Sequence, residues 1–83
     1  MAINKKEIEK KVIEILAEKL NIKAEKIKPE SNLTDDLGMD SFGAIEVMFE
    51  VEEKFGIRIE EDDMKDLHIV KDVITYIKNK VIK

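Results

Sequence analysis

Ser41 and the acidic residues just before it are the side chains whose types and spacing could do chemistry. Asp35, Asp36 and Asp40 lead into Ser41, and no histidine or cysteine lies nearby in the sequence. A serine at the start of a predicted helix can carry an anionic group, because free backbone N–H groups favour negative charge there. The same serine can also be a plain N-cap. The local residues by themselves favour the cap.

A calcium loop is the second chemistry that these acids suggest. Asp35 and Glu46 are the first and last of twelve residues, as in an EF-hand. However, Leu37 and Met39 stand where oxygen ligands are needed, and Asp40 replaces the required glycine. We therefore expect no metal site.

Enzymatic catalysis is poorly supported by the rest of the sequence. The 83 residues include no cysteine and a single histidine, His68, which has no serine or metal-binding partner at useful spacing. Asp35, Asp36 and Asp40 could act as catalytic acids, but so short a chain leaves little room for a cleft that excludes water. The sequence predicts one domain over residues 1–83, with no catalytic residue.

The elements that position Ser41 follow from the spacing of apolar residues. Apolar side chains three and four apart predict a first helix over Lys5–Leu20, with Asn4 and Glu7 as a capping box. A second helix is predicted over Ser41–Phe55, with Asp40 or Ser41 as its cap and Gly56 at its end. The other predicted elements are a long first loop at 21–40, a short helix at 60–67 and a last helix at 69–81.

The predicted second helix has more apolar residues than a surface helix needs. Val47, Val51 and Phe55 form one stripe, and Phe42, Ile45 and Phe49 form another, rotated around the helix. One stripe must face the core. The other is either additional core or an exposed docking surface beside Ser41. The spacing alone does not decide between them.

The charge of the chain is strongly segregated. Residues 35–66 hold twelve acids against three basic residues, a net charge of −9, while the rest of the chain carries +5. The acidic segment argues against nucleic acid as a partner, because phosphate binding needs clustered Lys and Arg. The pattern favours basic protein partners attracted by electrostatic steering, although a solvated face would look the same. The sequence has no apolar run that predicts a signal peptide or a membrane insertion, so we expect a cytoplasmic protein.

The run 35–42, which reads DDLGMDSF, resembles the attachment motif of the acyl carrier protein family. The resemblance extends to Lys26–Ser31 before the motif and to Glu50–Ile59 after it. It implies an all-α, acyl-carrier-like four-helix bundle with three longer helices, one short helix and a long first loop. It also implies that Ser41 is esterified by 4′-phosphopantetheine from coenzyme A. The terminal thiol of that arm would carry acyl groups as thioesters, which accounts for a carrier without cysteine.

The resemblance further implies which residues meet partner proteins. The expected partners are a phosphopantetheinyl transferase and acyl-transferring and condensing enzymes with basic docking patches, met by a monomeric carrier. The residues expected to touch them are four acids and two apolar side chains: Asp40, Glu46, Glu52, Glu53, Phe42 and Ile45. A shelter for the arm or its cargo is expected between the second and third helices, near Val47, Phe49, Ile59, Met64 and Leu67.

Two departures from the family pattern leave the cargo open. Phe42 stands where leucine is usual, and Gly43 replaces an acid that is common in carriers for fatty acid synthesis. The Asp-Ser-Phe-Gly run resembles some D-alanyl carrier proteins. The leading function is therefore an acyl carrier for fatty acid or related lipid or polyketide synthesis. The alternatives are a specialised aminoacyl or D-alanyl carrier, and an unmodified helical adaptor that binds a basic protein.

Overall fold

The structure, a computed structural model, describes residues 4–81. These residues contain four α-helices joined by loops. They are α1 (Lys5–Leu20), α2 (Ser41–Phe55), α3 (Glu61–Met64) and α4 (Val70–Val81), with one 3-10 turn at Ala24–Lys26. The predicted all-α fold with three longer helices, one short helix and a long first loop is confirmed. Within residues 4–81, no helix combines the length and the apolar character that crossing a lipid bilayer requires.

The ends of α1 follow from its capping residues. The Asn4 side-chain oxygen accepts a hydrogen bond from the Glu7 backbone N–H at 2.9 Å, and the Asn4 amide donates to the Glu7 carboxylate at 3.2 Å. At the other end Asn21 adopts the left-handed conformation (φ 56°) and its N–H bonds to the Ala17 carbonyl. Because both ends are satisfied locally, α1 begins and ends where its apolar pattern does.

The core lies where α1 packs against both α2 and α4. One face of each of these helices is buried there, which is the arrangement that apolar residues at helical spacing predict. The buried side chains from the three helices are Ile8, Val12, Ile15, Leu16, Val47, Met48, Val51, Val70, Val73, Ile74 and Ile77.

The long first loop is pinned to the core rather than free. Three of its side chains are buried in the core: Ile27, Leu33 and Leu37. An antiparallel bridge joins Asn32 to Ile69, and the Leu33 N–H donates to the His68 carbonyl at 2.9 Å. The loop therefore holds a fixed position against the segment that leads into α4.

The third helix is shorter than the sequence predicts. We expected a helix over residues 60–67, whereas α3 spans only Glu61–Met64. Beyond Met64 the chain continues in tight i→i+3 bonds, such as Leu67 N–H to the Met64 carbonyl at 3.2 Å. Three consecutive acids in α3 repel one another, and none of its residues is fully buried, so little packing extends the helix.

Candidate functional site

Ser41 is the first residue of α2, and its neighbour Asp40 is the N-cap. The Asp40 side-chain oxygen accepts a hydrogen bond from the Gly43 backbone N–H at 2.7 Å. Ser41 is exposed, and within residues 4–81 its hydroxyl takes part in no hydrogen bond. The cap that the local sequence allowed for Ser41 is thus made by Asp40, and the serine hydroxyl stays available for chemistry.

The loop before Ser41 is ordered by its own hydrogen bonds. The Asp36 carboxylate accepts from the Asn32 N–H at 2.7 Å, and the Asn32 side chain accepts from the Asp35 N–H at 2.8 Å. Gly38 then turns the chain with φ +70°, a conformation that side chains disfavour. These bonds and this turn fix the path of the chain into Asp40 and Ser41 at the start of α2.

Gly43 is buried where the start of α2 meets the end of α1. A Cβ atom at this position would lie 3.2 Å from the Asp40 Oδ1 atom and 3.3 Å from the Leu20 Cδ2 atom. Glycine therefore allows the capping carboxylate and Leu20 to approach the helix together. This packing is a structural reason for the departure from the family pattern at Gly43.

The second apolar stripe of α2 faces solvent. Phe42 is 71 % exposed, Ile45 is 64 % exposed and Phe49 is 67 % exposed. These three residues are called the apolar stripe below. Of the two interpretations that the sequence left open, the structure supports an exposed surface beside Ser41. Phe49 was expected near a shelter between the second and third helices, but its side chain is exposed, while the opposite face of α2 is buried against α1.

The acids predicted to meet partners occupy different environments. Glu46 and Glu53 are exposed, and within residues 4–81 neither forms an ion pair. Glu52 is half-buried, and its carboxylate accepts a hydrogen bond from the Ile59 N–H at 2.7 Å. Glu50, between them, lies 3.7 Å from the Lys19 ammonium of α1. Of the four acids predicted to meet partners, Glu46 and Glu53 are therefore the two that are exposed and hold no bond within residues 4–81.

Sequence reasoning missed two side-chain contacts that hold the region after α2. In one, the Ile59 N–H donates to the Glu52 carboxylate, and in the other, the Tyr76 hydroxyl donates to the Asp63 carboxylate at 2.6 Å. Burial, together with this bond, raises the pKa of Tyr76 above its ordinary value of 10.0. No short-range pattern marks either contact, because the partners are far apart in sequence.

The remaining members of the expected shelter are partly covered. Ile59, Met64 and Leu67 are half-buried and pack against the core, and Val47 is fully buried within it. A separate cleft of about 550 Å³ lies between α1, the 3-10 turn and the later part of α2, lined by Lys11, Glu18 and Lys54 among others.

Among residues 4–81, no group of three His, Cys, Asp or Glu side chains could hold a metal ion.

Comparison with known proteins gives one consistent result. A family model described as the phosphopantetheine attachment site matches residues 10–77, which include Ser41. An acyl carrier protein of Nitratidesulfovibrio vulgaris (strain Miyazaki F) is 42 % identical over 73 residues, which cover 88 % of this chain and 96 % of that protein. An acyl carrier protein of Acidothermus cellulolyticus is 42 % identical over 99 % of this chain and 98 % of its own length. One from Thermosynechococcus vestitus is 38 % identical over 95 % and 98 %.

Proposed function

This chain belongs to the acyl carrier protein family, and we propose that Ser41 is the residue to which its 4′-phosphopantetheine is attached. The observation that carries the assignment is that two neighbouring residues at the start of α2, Asp40 and Ser41, have different roles. Asp40 caps the helix through the Gly43 N–H, while the neighbouring Ser41 hydroxyl is exposed and unbonded. The attached group supplies a terminal thiol, which this cysteine-free chain lacks.

The surroundings of Ser41 fit a phosphodiester. The first intrahelical bond of α2 is donated by the Ala44 N–H to the Asp40 carbonyl. The Gly43 N–H donates to the Asp40 side chain. The N–H groups of Ser41 and Phe42 are left at the positive end of the helix dipole. An anion on the Ser41 oxygen is stabilised there by about 0.3–1 kcal/mol at an exposed site.

The apolar stripe and its acids form the proposed docking surface for partner enzymes. Phe42 and Ile45 would contact apolar side chains of the partner. Their exposure beside the attachment residue supports this role, because exposed aromatic side chains are enriched at binding sites. Glu46, Glu53 and Asp40 would pair with basic residues of a phosphopantetheinyl transferase and of acyl-transferring or condensing enzymes. Glu52 would contribute through its negative charge while bonded to Ile59.

The proposed setting is fatty acid synthesis or a related lipid or polyketide pathway in the cytoplasm. The chain would act as a monomer, since self-association through the apolar stripe would block successive partners. It would supply no catalytic group, and the partner enzymes would perform each reaction. A D-alanyl carrier is the second candidate, favoured by the Asp-Ser-Phe-Gly run, although the packing of Gly43 against Leu20 gives that glycine an independent reason.

Mass spectrometry after incubation with coenzyme A, Mg²⁺ and a phosphopantetheinyl transferase tests the attachment. We expect one added arm on the wild type, none on Ser41→Ala, and one on Ser31→Ala, which removes the only other serine. An unmodified wild type with several promiscuous transferases, or a modified Ser41→Ala, would refute the proposal. The mass of the group carried by protein from its own cells then separates an acyl cargo from an aminoacyl cargo.

Charge reversal tests the docking surface. Glu46→Lys and Glu53→Lys should weaken binding to the transferase and flatten its dependence on salt, because each removes an attractive charge from the encounter. Glu30→Lys is the matched control, since Glu30 is exposed on a cleft lined by residues of α1 and α4. Equal effects of all three changes would mean that only net charge matters.

A further inference from the structure

Arg58 is the only arginine of the chain, and it lies inside the acidic segment. Residues 52–66 hold seven acids, so a basic side chain there is expected to form an ion pair. Lys65 does so, with its ammonium 3.7 Å from the Asp62 carboxylate. Arg58, by contrast, is exposed, and among residues 4–81 its guanidinium forms no ion pair. Its charge is therefore available to a partner.

The backbone on both sides of Arg58 is bonded to Glu52 of α2. The Ile57 N–H donates to the Glu52 carbonyl at 3.2 Å, and the Ile59 N–H donates to the Glu52 carboxylate at 2.7 Å. The side chains of Ile57 and Ile59 are half-buried and pack against the core. Because both neighbours are anchored, the exposed Arg58 side chain extends into solvent from a fixed position.

Glu52 also determines where Arg58 lies relative to the apolar stripe. Glu52 follows Phe49 by three positions and Ile45 by seven, and it follows Ser41 by eleven. Residues at these spacings share one side of a helix. With a rise of about 1.5 Å per residue, Glu52 lies about 16 Å beyond Ser41 along the axis of α2. Arg58 is therefore close to the end of the apolar stripe that is farther from the attachment residue.

The chemistry of a guanidinium suits recognition of a carboxylate. The group is planar and always charged, and its N–H donors form a fixed fork that matches the two oxygens of a carboxylate. The exposed acids of the docking surface, Glu46 and Glu53, have the opposite charge. A partner patch that is basic throughout would be attracted by these two acids and repelled by Arg58.

We propose that Arg58 binds a carboxylate of a partner enzyme, so that the preferred docking patch is basic with one acidic side chain where it meets the end of α2. This contact rests on the proposed function, because it uses the same docking surface. The acid would lie about 16 Å from the point where Ser41 docks, measured along α2. A patch with a basic residue at that place brings like charges together and is selected against. Arg58 thus determines specificity and takes no part in the attachment at Ser41.

The sign of a charge-reversal effect tests the contact. The probes are the phosphopantetheinyl transferase and a condensing enzyme from the cells that make this chain, with binding to the unmodified chain measured by calorimetry. Arg58→Glu makes the surface more acidic, so a partner patch that is basic throughout should bind the variant more tightly. A carboxylate opposite Arg58 gives the reverse, and we expect binding to at least one of the two enzymes to weaken about tenfold.

Lys54→Glu is the matched control, because it makes the same change of charge on another side of α2. Lys54 is exposed and lines the cleft between α1 and α2. We expect this variant to bind no more weakly than wild type. The urea midpoint of Arg58→Glu should equal that of wild type, since the side chain is exposed and unpaired. Unchanged or tighter binding of Arg58→Glu to both enzymes, or an equal loss in Lys54→Glu, would overturn the proposal.

A zero-length cross-link locates the acid on the partner. Arg58→Lys keeps the positive charge and supplies an amine, which a carbodiimide joins as an amide to a carboxylate in contact with it. Mass spectrometry of the complex should show position 58 joined to one Asp or Glu of the enzyme whose binding weakens in Arg58→Glu. Cross-links from Lys54 or Lys65 with none from position 58 would contradict the contact.

Attachment and binding are separate readouts, so the two proposals can fail separately. If Ser41 accepts the arm but Arg58→Glu binds both enzymes as wild type does, the carrier assignment stands and the carboxylate contact is overturned. If no arm is accepted but binding weakens in Arg58→Glu and not in Lys54→Glu, the carrier assignment is refuted and the contact stands.

Discussion

Glu52 and Glu53 are adjacent acids of α2 that the structure assigns to different tasks. The Glu52 carboxylate accepts the Ile59 N–H at 2.7 Å and is half-buried, whereas Glu53 is exposed. Replacing each with alanine in turn is a matched experiment, because helix propensity and the helix dipole act almost equally on neighbouring positions. We predict that Glu52→Ala destabilises the fold and that Glu53→Ala does not.

The size of the effect follows from the bond that is lost. A hydrogen bond to a charged group contributes about 1.5–3 kcal/mol, and partial access of water to the Ile59 N–H reduces this to about 1–2 kcal/mol. An exposed substitution such as Glu53→Ala should stay within about 0.5 kcal/mol of wild type. For a domain of this size, Glu52→Ala should lower Tm by at least about 4 °C.

Urea unfolding followed by circular dichroism measures the difference. The midpoint for Glu52→Ala should fall with an unchanged m-value, which marks a loss of stability and not a change in the unfolded state. Transferase binding by the folded proteins should show the opposite order, with Glu53→Ala the weaker binder. Equal midpoints for the two variants would refute the assignment of Glu52 to structure.

Three other predictions concern the cap, the apolar stripe and the tyrosine. Asp40→Ala should cost about 1 kcal/mol of unfolding free energy in urea, while Asp40→Asn, which can still accept from Gly43, should retain most of the stability. Phe42→Ala and Phe49→Ala should weaken transferase binding measured by calorimetry and leave the urea midpoint unchanged, because both rings are mostly exposed; a drop in stability would place them in the core. Ultraviolet titration of Tyr76, the only tyrosine, should give a midpoint above 10.0, because burial and then the Asp63 bond raise its pKa. Since the folded pKa of Tyr76 exceeds the unfolded one, the stability that this group contributes is present below the unfolded pKa and is lost as pH rises through the folded pKa. A titration midpoint at or below 10.0 would contradict the raised pKa.

The long helices were predictable because their local signals agree. The bounds of α1 and α2 match the predicted Lys5–Leu20 and Ser41–Phe55, since each helix has a capping residue before it and a left-handed residue, Asn21 or Gly56, after it. The short helix was overextended, because the acids of 60–63 mark a helix start but few apolar contacts sustain the next turn.

The site was predictable in its motif and less so in its contacts. The sequence placed Ser41 at the start of α2, but could not say whether Asp40 or Ser41 supplies the cap, since both are good capping residues. It also could not choose between the two apolar stripes of α2, because only the packing of α2 against α1 determines which stripe is covered. The bonds of Glu52 and Tyr76 depend on where distant segments meet.

The cap provided by Asp40 has a consequence for the energetics of modification. Attaching a group to the Ser41 oxygen breaks no hydrogen bond of the fold, and the oxygen is exposed in both the folded and the unfolded chain. By thermodynamic linkage, a group that interacts equally with both states leaves the folding equilibrium where it was. The bare and the modified chain should thus differ in stability only by the helix-dipole contribution of about 0.3–1 kcal/mol. On the proposed assignment of Ser41, folding and loading would be independent steps, and a transferase would accept the folded chain as its substrate.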